Sequence, residues 1–238
     1  MTRTDILVHP LDNVVWSSLI GPHAHFAQGT AKAMRYPADV SPFAAIPPDP
    51  DASVWTALED TVTPGEILAV FGAETVVADL PSTWEIAQRG EAVQLVATEA
   101  LVTAPDPEAV VLGAGDVDEM VDLVARTQPG PFRPETYRMG TYLGIRRDGA
   151  LVSMAGERFH PAGWTEISAV CTDPEFRGQG LAGRLVRAVA HGIRGRGETP
   201  LMHAASTNEN AIRLYQAMGF AVRMRTRFFV LQAPGLSH

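Results

Sequence analysis

A short loop in the second half of the chain brings an arginine together with closely spaced glycines. It lies between a predicted strand and a predicted helix and reads Arg177-Gly178-Gln179-Gly180-Leu181-Ala182-Gly183. Glycine lets the backbone turn tightly, so that several amide N–H groups can approach one ligand. The start of a helix adds the positive end of its dipole, and both effects favour an anion such as a diphosphate. We therefore expect a phosphate-binding loop, with a glycine-rich turn that binds nothing as the alternative.

The same glycines match a second pattern, the fingerprint of dinucleotide-binding proteins. Gly178, Gly180 and Gly183 fit G-x-G-x-x-G, and Glu198 follows Gly178 by twenty residues. In that fingerprint the glycines follow their strand directly, and the acidic residue ends the next strand. Here residues 173–177 intervene, and Glu198 precedes the next predicted strand. We expect this match to be coincidental, which makes a nicotinamide-dependent oxidoreductase a distant alternative.

Strands and helices alternate regularly around this loop. Apolar runs predict strands at 109–112, 142–146, 151–157, 165–171, 200–204 and 223–231. Helices are predicted after Asp116 (with Glu119 completing a capping box), after the glycine loop, and over 208–218, where Gly219 ends the helix. An Asp-Gly pair at 148–149 predicts a hairpin turn. The order indicates an α/β (α+β) fold, a mixed sheet with helices on its faces.

The first half of the chain is rich in proline and only weakly periodic. A helix or two can be placed within 16–34, and short strands at 66–71 and 91–98. Two prolines within 104–107 make this segment the best linker candidate. We therefore predict an N-terminal accessory region over 1–105 and a second domain over 106–238.

The composition excludes several classes of protein. With 46% hydrophobic and 19% charged residues, the chain can bury a core, which excludes a disordered chain, a collagen-like repeat and a coiled coil. One cysteine, Cys171, excludes an internal disulfide framework. Residues 1–8 have no apolar stretch long enough for a signal peptide, so we expect a cytoplasmic protein that binds no membrane. A net charge of −8 disfavours nucleic acid as a partner.

Two ordered motifs point to a known family. Residues 170–182 read VCTDPEFRGQGLA, and residues 208–215 read NENAIRLY, followed by Met218-Gly219-Phe220. They resemble the motifs of the GNAT superfamily of N-acetyltransferases, whose acetyl-CoA-binding core is matched by Arg177, Gly180 and Ala182. The resemblance covers about residues 107–231 and is nearest to glycine N-acyltransferase-like C-terminal domains. It implies a GNAT-type mixed, splayed sheet, with the first half as a smaller α/β region that could be a degenerate copy of the same fold.

The resemblance assigns acetyl-CoA as cosubstrate and implies no metal. The strand before the loop would pair its backbone with the pantetheine amides, through Val170, Cys171 and Thr172. The loop would donate amides to the diphosphate, through Arg177, Gly178, Gln179, Gly180, Leu181, Ala182 and Gly183. Asn208 would contact the cofactor, and Arg184 could add charge. Packing is the alternative role for Cys171, which we expect to be a small buried hydrophobe rather than a nucleophile.

Two catalytic residues follow from the same resemblance. Tyr215 would protonate the departing thiolate, and its alternative role is that of a core tyrosine. An amine is almost entirely protonated at neutral pH, so the reaction also needs a base. The resemblance points to Glu166, acting through water, with Glu157, His160 and His203 in reserve.

The predicted activity is acetyl transfer to a primary amine of a small molecule or peptide, by direct attack of the amine on the thioester. A homodimer is a possible oligomeric state. The alternative function is a non-catalytic acyl-CoA-binding or regulatory module. Residues 128–132 and Trp164 would shape the acceptor site. Charge divides unevenly, with a net −9 over 1–105 against +1 over 106–238. Such an acidic first half is either a solvating surface or, beside the acceptor site, a feature that favours a cationic amine.

Overall fold

A computed structural model describes residues 9–72 and 77–235. A small antiparallel sheet joins β1 (Gln28–Thr30), β2 (Ala33–Arg35) and β3 (Ala44–Ala45). The main strands are β4 (Ile67–Phe71), β5 (Glu85–Ala97), β6 (Val110–Leu112), β7 (Tyr142–Arg147), β8 (Ala150–Glu157), β9 (Trp164–Thr172), β10 (Thr199–Ala205) and β11 (Phe220–Gln232). They form one eight-stranded sheet in the order β4-β11-β5-β10-β9-β8-β7-β6.

The parallel pair in the main sheet, β9 and β10, separates along its length. Its register runs from Thr199 opposite Trp164 to Met202 opposite Ile167 and stops there. Beyond that point β9 still pairs with β8, but its register shifts between Met154 and Gly156, and Ala169 has a φ of 51°. This is a bulge, which bends a strand and increases its twist. The predicted mixed sheet that splays at its centre and carries helices on its faces is confirmed.

Five α-helices lie within the described residues: α1 (Val14–Leu19), α2 (Ser53–Glu59), α3 (Val117–Thr127), α4 (Leu181–Gly195) and α5 (Glu209–Met218). The apolar stripe of α4, which includes Leu185 and Val189, packs with Ile167 and Met202 on one face of the sheet. On the other face Leu201 packs with N-terminal residues such as Leu11. Neighbouring residues of β10 thus enter different cores, because side chains alternate along a strand.

Strands from both sides of residue 105 share the main sheet. β5 lies between β10 and β11, and β4 pairs with β11 at the sheet edge. The division of the chain into 1–105 and 106–238 stays a prediction, and the N-terminal region contributes two strands to the sheet that contains the glycine loop.

Three local predictions need correction. Asp116 and Glu119 form no capping box on α3, because both carboxylates bind Arg146 of β7. Within 16–34, α1 ends at Leu19 and a short 3-10 helix follows at Ala24–Phe26, but the chain from Gln28 forms β1 and β2, joined by a tight turn at residues 31–32. The strand predicted at 91–98 is β5, which begins six residues earlier, at Glu85.

The remaining predictions for local structure are confirmed or lie outside the described residues. The Asp-Gly hairpin is present, with Asp148 and Gly149 both at positive φ, and Gly219 ends α5 with a φ of 106°. Over 9–72 and 77–235, no helix combines the length and apolar character that crossing a membrane requires. Residues 1–8, considered above as a signal segment, are outside the described part of the chain.

Candidate functional site

A cavity of about 1260 Å³ opens where β9 and β10 separate. This is more than the roughly 300–1,000 Å³ of a pocket for one small ligand, and the volume suits two substrates that meet. One end is lined by the glycine loop, the start of α4 and one side of α5. The other end is lined by side chains of β4 and β11 and by Phe43. The splay of the sheet joins these two ends.

The glycine loop has the backbone geometry that its sequence predicted. Gly178 and Gly180 have φ values of 77° and 72°, and a Cβ added at either position would meet no atom within 4 Å. Glycine is therefore required there by backbone conformation rather than by lack of space. Gly180 caps α4 without a side chain, so the first amides of the helix are free to donate to a ligand. Every predicted loop residue lines the cavity except Gln179.

The end of β9 supplies the next wall of the cavity. Val170, Cys171 and Thr172 all line it, along the strand edge that has no partner in β10. Ser153 donates a hydrogen bond of 2.8 Å to the carbonyl of Cys171 and anchors the strand from the β8 side. Burial raises the pKa of the Cys171 thiol to about 11, so the side chain stays a thiol at neutral pH. This agrees with a packing role for Cys171.

Tyr215 projects from α5 into the same cavity. It is 7% exposed, packs against Phe220 and has a pKa raised to about 12, chiefly by burial. Its hydroxyl therefore carries a proton throughout the physiological range. Asn208 also lines the cavity, but its Oδ1 accepts a hydrogen bond from the Ala211 amide and caps α5. The side chain of Asn208 thus has a structural task beside any contact with a ligand.

The contacts of the arginines near the loop differ from the prediction that Arg177 and Arg184 supply charge to the phosphates. Arg184 binds Asp106 through two hydrogen bonds of 2.7 and 2.8 Å and also pairs with Glu108, so its charge is already balanced. Arg177 is exposed and reaches the Thr172 carbonyl at 3.3 Å. Arg187, which sequence reasoning missed, lines the cavity one helical turn beyond Gly183. The spacing of four residues from a loop glycine was the available signal.

Glu166 is buried beneath the cavity and does not line it. Arg158 donates to both of its oxygens, at 2.9 Å from Nε and 2.6 Å from Nη2. Nδ1 of His203 lies 2.9 Å from Oε1. Burial by itself raises the pKa of this carboxyl, but Arg158 and His203 outweigh it and lower the pKa to about 2. Arg158 and His203, rather than Glu166, line the cavity.

The hydrogen-bond network assigns the proton of His203. The amide nitrogen of Gln94 lies 2.9 Å from the Leu11 carbonyl and 3.1 Å from Nε2 of His203. Its oxygen accepts a 2.9 Å bond from Arg223, so this amide orientation is the one that satisfies all partners. Nε2 of His203 therefore accepts from Gln94, and Nδ1 donates to Glu166.

The other acid and base candidates lie outside the cavity lining. Glu157 accepts hydrogen bonds from Arg196 at 3.0 Å and from the Thr141 amide at 3.2 Å. Burial lowers the pKa of His160, with partial opposition from Glu157. Glu198, the acidic residue of the dinucleotide fingerprint, accepts a 2.6 Å bond from Thr165. None of the three lines the cavity.

The predicted acceptor loop is partly at the site. Residues 128–131 line the cavity, whereas Phe132 packs against Tyr142 and Trp164 packs against His9. Sequence reasoning missed the aromatic side chains of the far end, Phe43, Phe71 and Phe228, because they come from the first half of the chain and from β11. Among the residues that line this cavity in the described structure, none is a carboxylate, and three are arginines: Arg158, Arg177 and Arg187.

Comparison with known proteins gives consistent matches. The family model of the FR47-like protein matches residues 142–230, from β7 to β11. A crystal structure from Novosphingobium aromaticivorans DSM 12444, assigned to the GNAT family of acetyltransferases, is 36% identical with a TM-score of 0.86. That match covers 97% of this chain and 100% of the other.

Two curated proteins match by sequence. The chain is 29% identical over 140 residues to the N-alpha-acetyltransferase RimI of Mycobacterium tuberculosis, covering 52% of this chain and 87% of that protein. It is 32% identical over 111 residues to the mycothiol acetyltransferase of Nocardiopsis dassonvillei, covering 42% and 32% of the two chains.

Proposed function

Because this chain belongs to the GNAT family of acetyltransferases, we propose that it transfers an acetyl group from acetyl-CoA to a primary amine by direct attack on the thioester. The observation that carries this proposal is one cavity that joins the glycine loop, the unpaired edge of β9 and the Tyr215 hydroxyl. A relative named as an N-alpha-acetyltransferase supports nitrogen as the accepting atom. A closer relation to glycine N-acyltransferase-like domains, a homodimer and a cytoplasmic location stay predictions.

Binding in this proposal uses backbone more than side chains. The free amides of the loop and of the first turn of α4, from Gly178 to Gly183, donate to the diphosphate. Arg177 and Arg187 add positive charge at the same end of the cavity. Because β10 turns away from β9, the backbone of β9 from Val170 to Thr172 has no partner in β10. This edge can therefore form hydrogen bonds with the pantetheine amides. Asn208 contributes from the start of α5.

The chemical step needs one proton donor and one stabilised oxygen. The amine nitrogen first bonds to the thioester carbon, and a backbone N–H of β9 stabilises the tetrahedral oxyanion that results; the carbon–sulfur bond then breaks. Tyr215 gives its proton to the leaving sulfur and regains one from solvent. The protonated state of Tyr215, with its pKa raised to about 12 by burial, supports this role. No covalent enzyme intermediate is involved.

Glu166 is the proposed acceptor, through water, of the proton that the amine loses. Its contacts support a second role as well, since a buried carboxylate held by Arg158 and His203 orients both of these cavity-lining side chains. Both roles require the ionised carboxylate, and a carboxyl with a pKa of about 2 is ionised throughout the neutral range.

Thiol release from acetyl-CoA over a panel of primary amines tests the proposed function. We expect CoA and the N-acetylated amine to appear in equal amounts, measured by thiol titration and mass spectrometry. Stabilisation of the full chain by CoA without turnover of any amine would identify a binding module instead. Stabilisation by a nicotinamide dinucleotide, and not by CoA, would instead support the oxidoreductase alternative.

A further inference from the structure

We infer that the amine acceptor carries an aromatic ring and a carboxylate, and that Phe43 and Phe71 bind the ring while Arg158 binds the carboxylate. This inference rests on the proposed function, because it describes the second substrate of the same reaction. It concerns the end of the cavity that lies away from the glycine loop.

Aromatic side chains build the walls of this end. The rings of Phe43 and Phe71 stack with centroids 5.2 Å apart and an interplanar angle of 8°. His203 stacks on Phe71 at 5.2 Å, and Phe228 meets Phe71 edge-on at 6.4 Å. Ala69 and Val230 complete an apolar surface. A ring in the ligand can stack on such a wall or meet it edge-on, and aromatic pairs favour both geometries.

Arg158 places a cation among these rings. Its guanidinium lies 5.0 Å from the centroid of Phe43 and 4.7 Å from that of Phe159, and the residue is only 7% exposed. Nε and Nη2 are both bound to Glu166, which fixes the plane of the group. Nη1 has no acceptor among the described residues, although the side chain lines the cavity. A free donor in the cavity wall can bind an oxygen atom of the ligand, and a carboxylate makes the stronger, charge-assisted bond.

The absence of carboxylates from the lining decides between acceptors of opposite charge. An amine attacks in its neutral form, which needs no anionic partner, so a cavity without acidic side chains still admits the nucleophile. A polycationic acceptor would bring its further ammonium groups near Arg158, with no carboxylate in the lining to pair with them. No Asp or Glu of residues 1–105 lines the described cavity. The walls thus favour an acceptor with an anionic group over a cationic one.

Four acceptors test this inference in the full chain: one carries both the ring and the carboxylate, and in each of the other three one of these groups is removed or masked. These are L-phenylalanine, L-phenylalaninamide, 2-phenylethylamine and glycine. We expect kcat/KM for phenylalanine to exceed that of the other three by about tenfold or more, because only phenylalanine has both ring and carboxylate. Equal rates with phenylalaninamide would indicate that the acceptor is a peptide N-terminus, and would contradict the inference that the acceptor carries a carboxylate. Equal or faster rates with phenylethylamine or glycine would overturn the inference as well.

Arg158→Lys tests the assignment to that side chain. Lysine keeps a positive charge beside Glu166 but loses the fixed, forked donor geometry. We expect the ratio of kcat/KM for phenylalanine to kcat/KM for phenylethylamine to fall by about tenfold, whatever change in rate the two amines share. Arg138→Lys, at an exposed arginine outside the cavity lining, is the matched control and should keep the preference. A preference that survives in Arg158→Lys would contradict the role of Arg158.

A wild-type measurement covers the case in which Arg158→Lys does not fold. N-acetyl-phenylalanine should inhibit more strongly than N-acetyl-2-phenylethylamine, and equal inhibition would contradict the inference. Failure of the proposed function looks different, since then no amine of any class is acetylated. Turnover of other amines, with phenylalanine inert, would reject the acceptor class and leave the acetyltransferase in place.

Discussion

Glu166 and His203 are joined by a hydrogen bond of 2.9 Å, although 37 positions separate them in the chain. The pair lies where β9 and β10 are about to separate, one residue short of the last paired position on β9 and one beyond it on β10. Together with Arg158 it forms a buried polar cluster under the acceptor end of the cavity. The geometry of the acceptor end therefore depends on the charge of a carboxylate that does not itself line the cavity.

Glu166→Gln should make the free energy of unfolding less dependent on pH in the acid range. Burial raises the pKa of this carboxyl, but Arg158 and His203 lower it overall to about 2, from 4.5. A lowered pKa stabilises the fold fully above the unfolded value, and this stabilisation disappears as pH falls toward the folded value. Between about pH 5 and pH 2 the wild type should thus lose roughly 3 kcal/mol more than the variant.

Urea unfolding at a series of pH values measures this difference. The variant is expected to be less stable at pH 7, because the substitution leaves Arg158 without its counter-charge. A stability difference between the two proteins that stays constant down to pH 2 would contradict the prediction.

The pH–rate profile of Glu166→Gln tests whether titration of this carboxylate limits the rate. We expect kcat/KM to fall by about tenfold or more, while any acid limb of the wild-type profile above about pH 5 is kept. The reason is that a group with a pKa of about 2 is already ionised throughout that range. Loss of the limb in the variant would instead show that Glu166 titrates above pH 5 and would contradict its lowered pKa.

Tyr215→Phe should lower kcat by about 10²- to 10⁴-fold and leave the KM for acetyl-CoA nearly unchanged. The substitution removes a proton donor from the leaving sulfur but keeps the aromatic packing against Phe220. With the pKa of Tyr215 near 12, its own titration should not limit the wild-type rate below about pH 10. Tyr137→Phe, outside the cavity lining, is the control. Steady-state kinetics with similar kcat for Tyr215→Phe and wild type would reject the acid role.

The glycine loop and Tyr215 could be predicted from the sequence because their geometry is local. Positive φ at Gly178 and Gly180, the start of α4 and the position of Tyr215 on α5 all follow from spacing within a few residues. Periodicity also placed most strands of the main sheet. Such features depend on neighbours along the chain, where sequence patterns carry the information.

Features that depend on distant partners could not be predicted in the same way. β5 enters the sheet between β10 and β11 through pairs such as Gln94 with His203, which are 109 positions apart. No periodic signal in β5 identifies these partners. For the same reason the ion pair of Glu166 and the aromatic end of the cavity were not expected. Asp116 is an example. A local motif predicts that its carboxylate caps α3, but the carboxylate binds Arg146 of β7 instead.

Arg187→Ala should raise the KM for acetyl-CoA by roughly three- to tenfold, and more at low salt than at high salt. The side chain lies at the phosphate end of the cavity and its charge has no carboxylate partner within hydrogen-bond distance among the described residues. Arg184→Ala is the matched variant on the same helix, and its KM should stay near the wild-type value because Asp106 and Glu108 already hold that charge. The reverse order of effects in steady-state kinetics would assign the phosphate contact to Arg184.

Gly180→Ala should weaken acetyl-CoA binding through backbone strain alone. Residue 180 has a φ of 72°, where an alanine costs about 1–2 kcal/mol, while its Cβ would touch no neighbouring atom. The loop can relieve this strain by leaving the conformation that presents its amides, so the Kd for CoA should rise by about tenfold or more. Gly195→Ala, at the end of the same helix and also without close neighbours, lacks the positive φ. It should bind CoA normally and unfold at the same or a higher temperature, since alanine favours helix. Equal CoA affinity of the two variants by calorimetry would show that the conformation at residue 180 does not matter for binding.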